Sequence, residues 1–271
     1  MLKLGAILPH PPIMVKEIGG EEIKKVESTI SAMKKIAADF EKEKIETVVI
    51  ISPHAPMIPK TFTMLKAEKY EGDFSNFGFA KKSWEFSGNA ALALKIQEKT
   101  REKNIPLLAL QANKLDHGIL VPLYFLSASA KASADKSKKS DFKIVPFSYS
   151  FLSREIHLNF GEVLKEAAQE QKENIALVAS GDLSHSLTED APAPFNPAGK
   201  EFDEKIKELL EAQKFDEIID LDEGLVENAA ECGYRSILIL LGAIKSSDFK
   251  AKVLSYEGPF GVGYLVAEFT P

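Results

Sequence analysis

The stretch IETVVIISPHAP (residues 45–56) decides the fold class. Thr47, Val48, Val49, Ile50 and Ile51 follow one another, and β-branched side chains restricted at χ1 favour extended backbone. Pro53 stops the run, so the segment reads as a strand that ends just before His54. LKLGAILPHPP (2–12) repeats the pattern: a short apolar run, a proline, and then His10. Between the two runs, residues 21–44 carry Ile23, Val26, Ile30, Met33, Ile36, Ala37 and Phe40 at three- and four-residue steps among Lys and Glu, the signature of an amphipathic helix. Residues 2–52 therefore make a strand, helix, strand unit with a crossover length suited to a parallel pair. Both histidines fall at carboxyl ends of strands, where open α/β sheets bind their ligands.

The alternation continues downstream. Helical patterns cover residues 90–103, 153–172 with Ser153 as a cap, 198–212 and 222–242, and strand patterns cover 105–110, 142–150, 174–180, 250–256 and 262–268. HGILVPLYFLSAS (117–129) reads as an apolar helix or buried segment interrupted by Pro122, and KASADKSKKSD (131–141) as an exposed loop. APAPFNPAGKEFDEKI (191–206) is a Pro-rich loop entering a helix and is expected to wall a site near His185. GPFGVGY (258–264) precedes no helix, so it is a turn beside a strand rather than a phosphate loop. With no solenoid repeat and no convincing linker, the expectation is one α/β domain over residues 1–271.

Composition bounds the partners. A chain of 271 residues, 45% hydrophobic, with net charge −6 and pI near 5.6, has ample core material and no basic surface for nucleic acid. No stretch approaches the ~18 unbroken apolar residues of a membrane span, and the first residues lack the long apolar core of a signal peptide, so a cytoplasmic protein without a membrane partner is expected. The one cysteine, Cys232, has no internal disulfide partner, in keeping with a reducing compartment.

Four of the five histidines, His10, His54, His117 and His185, follow or sit in strand-end loops, whereas His157 lies on a helical pattern and reads as structural. Two imidazoles and a carboxylate with open coordination positions form the facial triad of non-haem Fe(II) oxygenases. His10 and His54 are the natural imidazole pair, as adjacent strand ends. Asp116, Asp182, Glu227 and Glu231 are candidates for the carboxylate; Glu231, amid Ala, Cys and Gly, is poorly explained as solvated surface, although a helix-terminal or salt-bridged role also fits it. Cys232 reads as a small buried residue, with a metal ligand or reactive thiol as the alternative.

The ordered set LPHPP, SPHAP, LDHGILVPLYFL, SGDLSH and ECGYRS resembles the class III extradiol ring-cleavage dioxygenases of the protocatechuate 4,5-dioxygenase beta-subunit type, together with their Memo-like relatives, over nearly the whole chain. The resemblance implies a single three-layer αβα domain with a mixed central sheet. It also implies Fe(II) held by His10, His54 and Glu231, His185 as the acid/base, His117 near the substrate, and meta cleavage of a catechol-type aromatic substrate with dioxygen. Asp182, three residues before His185, would orient an imidazole, its plainer reading being a turn or helix cap. The Memo-like branch implies instead an iron- or copper-binding protein without ring cleavage, with Cys232 as an alternative ligand. Zn(II) in the same donors would suit a hydrolase. The particular substrate, and whether the chain forms a homo-oligomer, stay open at this level.

Overall fold

The computed structural model describes residues 1–128 and 142–271; the expected loop at 131–141 lies outside the described residues. Ten strands form one mixed sheet, β1 (Leu2–Leu8), β2 (Thr47–Ser52), β3 (Phe62–Leu65), β4 (Lys69–Phe74), β5 (Phe79–Gly88), β6 (Leu107–Leu110), β7 (Lys143–Ser148), β8 (Ile175–Ser180), β9 (Lys250–Glu257) and β10 (Tyr264–Thr270). Their order is β4-β5-β7-β2-β8-β1-β10-β9, with β3 paired to β7 and β6. The central run β5, β7, β2, β8 and β1 is parallel, and β10 and β9 add antiparallel to it.

The helices are α1 (Lys16–Gly19), α2 (Glu27–Lys42), α3 (Ala90–Glu102), α4 (His117–Ala128), α5 (Arg154–Gln169), α6 (Pro197–Glu211), α7 (Phe215–Ile219), α8 (Glu223–Asn228) and α9 (Tyr234–Ile244). They cover both faces because the central strands bury both faces. Val48 and Ile50 join Ala176 and Val178 in one core against Met33, Ile36 and Phe40 of α2 and Ile119 and Leu123 of α4. The alternate residues Val49 and Ile51 join Leu177 and Ala179 in a second core against α3, α5, α6 and α9. Each Val or Ile buried this way stabilises the fold by roughly 1.5–3 kcal/mol, which is why the period-two side chains fix the strand register. The result is the α/β class with helices on both sides of a mixed sheet.

Three local readings are corrected. β1 and β2 are not neighbours, because β8 lies between them and pairs with both. The helix expected from residue 21 begins as 3-10 turns over Gly20–Val26 and becomes α-helical at Glu27, after Gly20 has taken a positive φ of 50°. The helix expected over 222–242 breaks into α8 and α9 where Ala230 takes a φ of 53°. Strands β3, β4 and β5 and helix α7 have no counterpart among the expected elements.

Candidate metal and acid-base site

His10 and His54 leave the carboxyl ends of β1 and β2 and converge across the end of β8, with their Nε2 atoms 3.0 Å apart. His10 is buried and its orientation is fixed from behind. Pro122, inside α4, has no N–H to give the carbonyl of Gly118 four residues earlier. The Ser180 hydroxyl at the end of β8 donates to that carbonyl instead. Having spent its proton there, Ser180 Oγ accepts from His10 Nδ1 at 2.9 Å. The His10 tautomer is thereby set with Nδ1 protonated and the Nε2 lone pair facing His54. Burial, then the neighbouring His54, His117 and His185, hold the His10 pKa well below its ordinary value, so the ring is neutral.

Behind His54, its backbone N–H donates to Ser52 Oγ, and Ser52 Oγ donates to Asp116 Oδ1 at 2.7 Å. Asp116 also accepts from the Ile119 N–H at the start of α4, so this acid caps a helix and steadies the β2 loop. Gly118 is required between them: a Cβ there would lie 2.4 Å from Ser52 Oγ and 3.1 Å from His54. His117 lies against His54 with ring centroids 4.2 Å apart and planes tilted by 31°, and Phe77, at the tip of the β4–β5 hairpin, packs edge-on against His117 at 5.1 Å. Burial lowers the His117 pKa to about 4.

The other wall comes from two loops whose backbones touch. A Cβ on Gly181 would lie 2.1 Å from the Cα of Gly233, so only glycine lets the loop after β8 meet the break between α8 and α9. That contact brings Cys232 Sγ to 3.8 Å from His10 Nε2 and within reach of the Asp182 backbone N–H at 3.3 Å. Asp182 is buried; its Oδ1 accepts from the His10 backbone N–H, and its Oδ2 lies 3.9 Å from Nε2 of both His10 and His185. Burial pushes the Asp182 carboxyl up to about 7 and the Cys232 thiol well above its ordinary value. His185 Nδ1 donates to the Ala230 carbonyl at 2.8 Å, which leaves its Nε2 as the free base. Burial lowers the His185 pKa.

Among the described residues two groups bring their donor atoms within 4.8 Å of one another: His10, His54 and Cys232, and Asp182, His185 and Cys232. Glu231 belongs to neither. Its carboxylate accepts from the Tyr234 N–H and caps α9, and burial pushes it up to about 7. The structure brings His10 and His54 together with His117 and His185 around them, and it is the thiol of Cys232, not the carboxylate of Glu231, that lies beside the imidazoles. Glu227 lies on the exposed face of α8. Asp182 reaches the imidazoles directly as well as bracing His10 from its backbone. Ser180 and Asp203 escaped the sequence reading. Asp203, fully buried on α6, accepts from the Ser184 N–H at 2.9 Å and from the Tyr256 hydroxyl at 2.7 Å, and so holds the His185 loop. Its one signal is its place beside Phe202, on the buried face that α6 shares with Ile206 and Leu210. His157 is structural, as expected, with both ring nitrogens on backbone carbonyls.

Two imidazole lone pairs 3.0 Å apart need a proton or a cation between them, and a thiol and a carboxyl stand close by. This N, S and O donor set suits a transition metal such as iron, copper or zinc. Among the described residues no helix is long and apolar enough to cross a membrane.

Comparison with known proteins agrees with this architecture. Protein CA_C1420 of Clostridium acetobutylicum is 37% identical over 269 residues, 96% of this chain and 56% of its own length. The 3,4-dihydroxyphenylacetate 2,3-dioxygenase of Escherichia coli is 23% identical over 278 residues, 94% of each chain. MEMO1 family protein MJ0403 of Methanocaldococcus jannaschii is 31% identical over 163 residues, 59% of this chain and 52% of that protein. The chain thus spans about half the length of CA_C1420 and MJ0403. The crystal structure of the uncharacterized protein JW3007 from Escherichia coli K12 shares the fold, with a TM-score of 0.68 at 17% identity over 98% of this chain and 99% of that one. Residues 4–267 match the model of the family described as the catalytic LigB subunit of aromatic ring-opening dioxygenase, and the chain belongs to that family.

Proposed function

We propose that the chain is a metal-dependent extradiol dioxygenase acting on a catechol-type aromatic substrate. The observation that carries this reading is the pair of Nε2 atoms of His10 and His54, 3.0 Å apart, with His117 and His185 set around them. His10, His54 and Cys232, with Asp182 beside them, would hold the metal, Fe(II) in this reading, which supplies Lewis acidity toward the substrate's hydroxyls and a place for dioxygen. His185 acts as the base: its Nδ1–H is committed to Ala230, its pKa is lowered, and its Nε2 is free to take a proton from a substrate hydroxyl and return it. Asp182, with a pKa near 7 and an oxygen 3.9 Å from that Nε2, is a second store for the same proton. The neutral His117 ring donates or accepts one hydrogen bond at the substrate edge, and Phe77 keeps water from its outer face. Each of these groups is in place before substrate arrives, so no reorganisation is charged to the reaction.

The test is anaerobic reconstitution with Fe(II), addition of a panel of catechols, and admission of air while oxygen uptake and the yellow ring-opened product are followed. Uptake with colour that is lost in His185→Phe with iron retained supports the reading; no uptake across the panel by iron-loaded protein overturns it.

A second reading rests on Cys232. A thiol in place of a carboxylate ligand favours copper or iron held without ring cleavage, as a Memo-like metal-binding protein. Copper binding that is lost in Cys232→Ser and unchanged in Glu231→Ala, with no oxygen uptake by any metal form, would favour it.

A further inference from the structure

Of the 34 basic residues in the chain only three are arginines, Arg101, Arg154 and Arg235, and two of those three line one cavity. The cavity, ≈ 280 Å³, lies between the β7–α5 loop and the start of α9; none of His10, His54, His117, His185 or Cys232 lines it. Its size sits at the lower edge of the roughly 300–1,000 Å³ of small-molecule pockets. Arg154 is anchored by donating from Nη1 to the carbonyls of Ile219 and Leu221, and its guanidinium lies over the Tyr234 ring at 5.4 Å. Arg235 lies over Phe151 at 5.0 Å and Tyr149 at 5.9 Å. Among the described residues neither guanidinium has a carboxylate within ion-pair distance, in a protein whose lysines are repeatedly paired with acids.

We propose that this cavity binds a small monoanionic carboxylate carried on a flat apolar body. Guanidinium groups recognise oxyanions in a planar, two-point fashion that lysine cannot reproduce, and two of the three arginines of this lysine-rich chain stand at this cavity. Arg235, held against two rings and with no carboxylate within ion-pair distance among the described residues, although its charge is felt by Glu231, is the group that meets the ligand. The exposed rings of Phe151 and the buried ring of Tyr234 supply apolar walls for a planar body. Glu223 and Glu227 also line the cavity, both exposed, and set the ligand's charge: a doubly charged phosphate meets two like charges there, whereas a single carboxylate is drawn past them to the arginines.

Calorimetric titration of the full chain with benzoate, and separately with inorganic phosphate, tests the site. Benzoate should bind, and phosphate should bind more weakly. Arg235→Gln should weaken benzoate about 10- to 100-fold with an unchanged melting temperature, and Arg235→Lys should recover only part of the loss. Glu227→Gln should tighten benzoate by about 2- to 3-fold, a gain that damaged folding cannot mimic. The double variant His10→Ala/His54→Ala should bind benzoate as the parent does. Absence of benzoate binding, binding unchanged by Arg235→Gln, phosphate binding tighter than benzoate, or benzoate binding lost in the double histidine variant would each overturn the proposal, the last by placing benzoate on the histidine cluster.

Discussion

His10 and His157 are almost equally buried, 2% and 1% exposed, and both have pKa values pushed down by that burial. What separates them is the direction of their lone pairs. Both nitrogens of His157 face backbone carbonyls, Ser153 at 2.9 Å and Ser150 at 3.0 Å, so the ring is consumed in tying the β7–α5 loop to its helix. His10 spends one nitrogen on Ser180 and keeps the other aimed at His54 and Cys232. Burial by itself does not mark a functional imidazole; a nitrogen with no backbone partner does.

Exchanging the two rings for inert ones exposes this difference most directly. His10→Ala should reduce metal affinity by more than about 100-fold, beyond what loss of an outer hydrogen-bond partner costs, as read by titration with Fe(II), Cu(II) or Zn(II). His157→Phe should leave metal affinity unchanged and destabilise the protein by about 1–3 kcal/mol, because the carbonyl that accepts from the one N–H of the neutral ring loses its donor, as read by denaturant unfolding. If His157→Phe lost metal, the division between the two rings would be wrong.

The support behind His10 should matter next. Ser180→Ala removes the acceptor that fixes the Nδ1–H tautomer and should weaken metal binding about 10- to 100-fold. Acid sharpens the comparison from another side. Both rings have folded pKa values below the unfolded value of about 6.5, so their neutral forms contribute stability above that pH, and the contribution is lost as pH falls below it. Metal-free protein should therefore lose up to about 1.4 kcal/mol per pH unit for each ring below pH ~6.5, and His157→Phe should make the slope shallower in urea titrations at stepped pH. The smallest effect is expected from Pro122→Ala. The restored N–H competes with Ser180 for the Gly118 carbonyl, and metal affinity should fall by less than about 10-fold while the melting temperature holds or rises.

Much of this was legible in the sequence where chemistry is local. Short apolar runs located β1, β2 and β8, the prolines after the first two placed His10 and His54 at strand ends, and the REIHLNF pattern assigned His157 to a helix. The role of Glu231 was not legible, because its neighbours are apolar whether it reaches a metal or caps a helix. The choice between it and Cys232 depends on Ala230 turning into the left-handed region and on Gly181 meeting Gly233 across some 50 residues, and neither leaves a periodic signal. Ser180 was hidden for a similar reason: its role exists only because Pro122 frees a carbonyl on a helix that packs against the end of β8. The hairpin strands β4 and β5 are short of β-branched residues and carry several exposed charges, so they lack the pattern that revealed the central strands.

The position of β8 between β1 and β2 has a consequence for how the protein comes into being. The Ser180 to His10 bond joins residues 170 positions apart, and neither histidine loop can be seated until β8 has been threaded between two strands made much earlier. On a growing chain the first half can form its helices but cannot close the site. Parallel pairing over such a separation is slow to nucleate because the loop entropy is lost before the contacts form. Closure of the histidine cluster is thus a late event in maturation, one that follows assembly of the sheet and cannot template it.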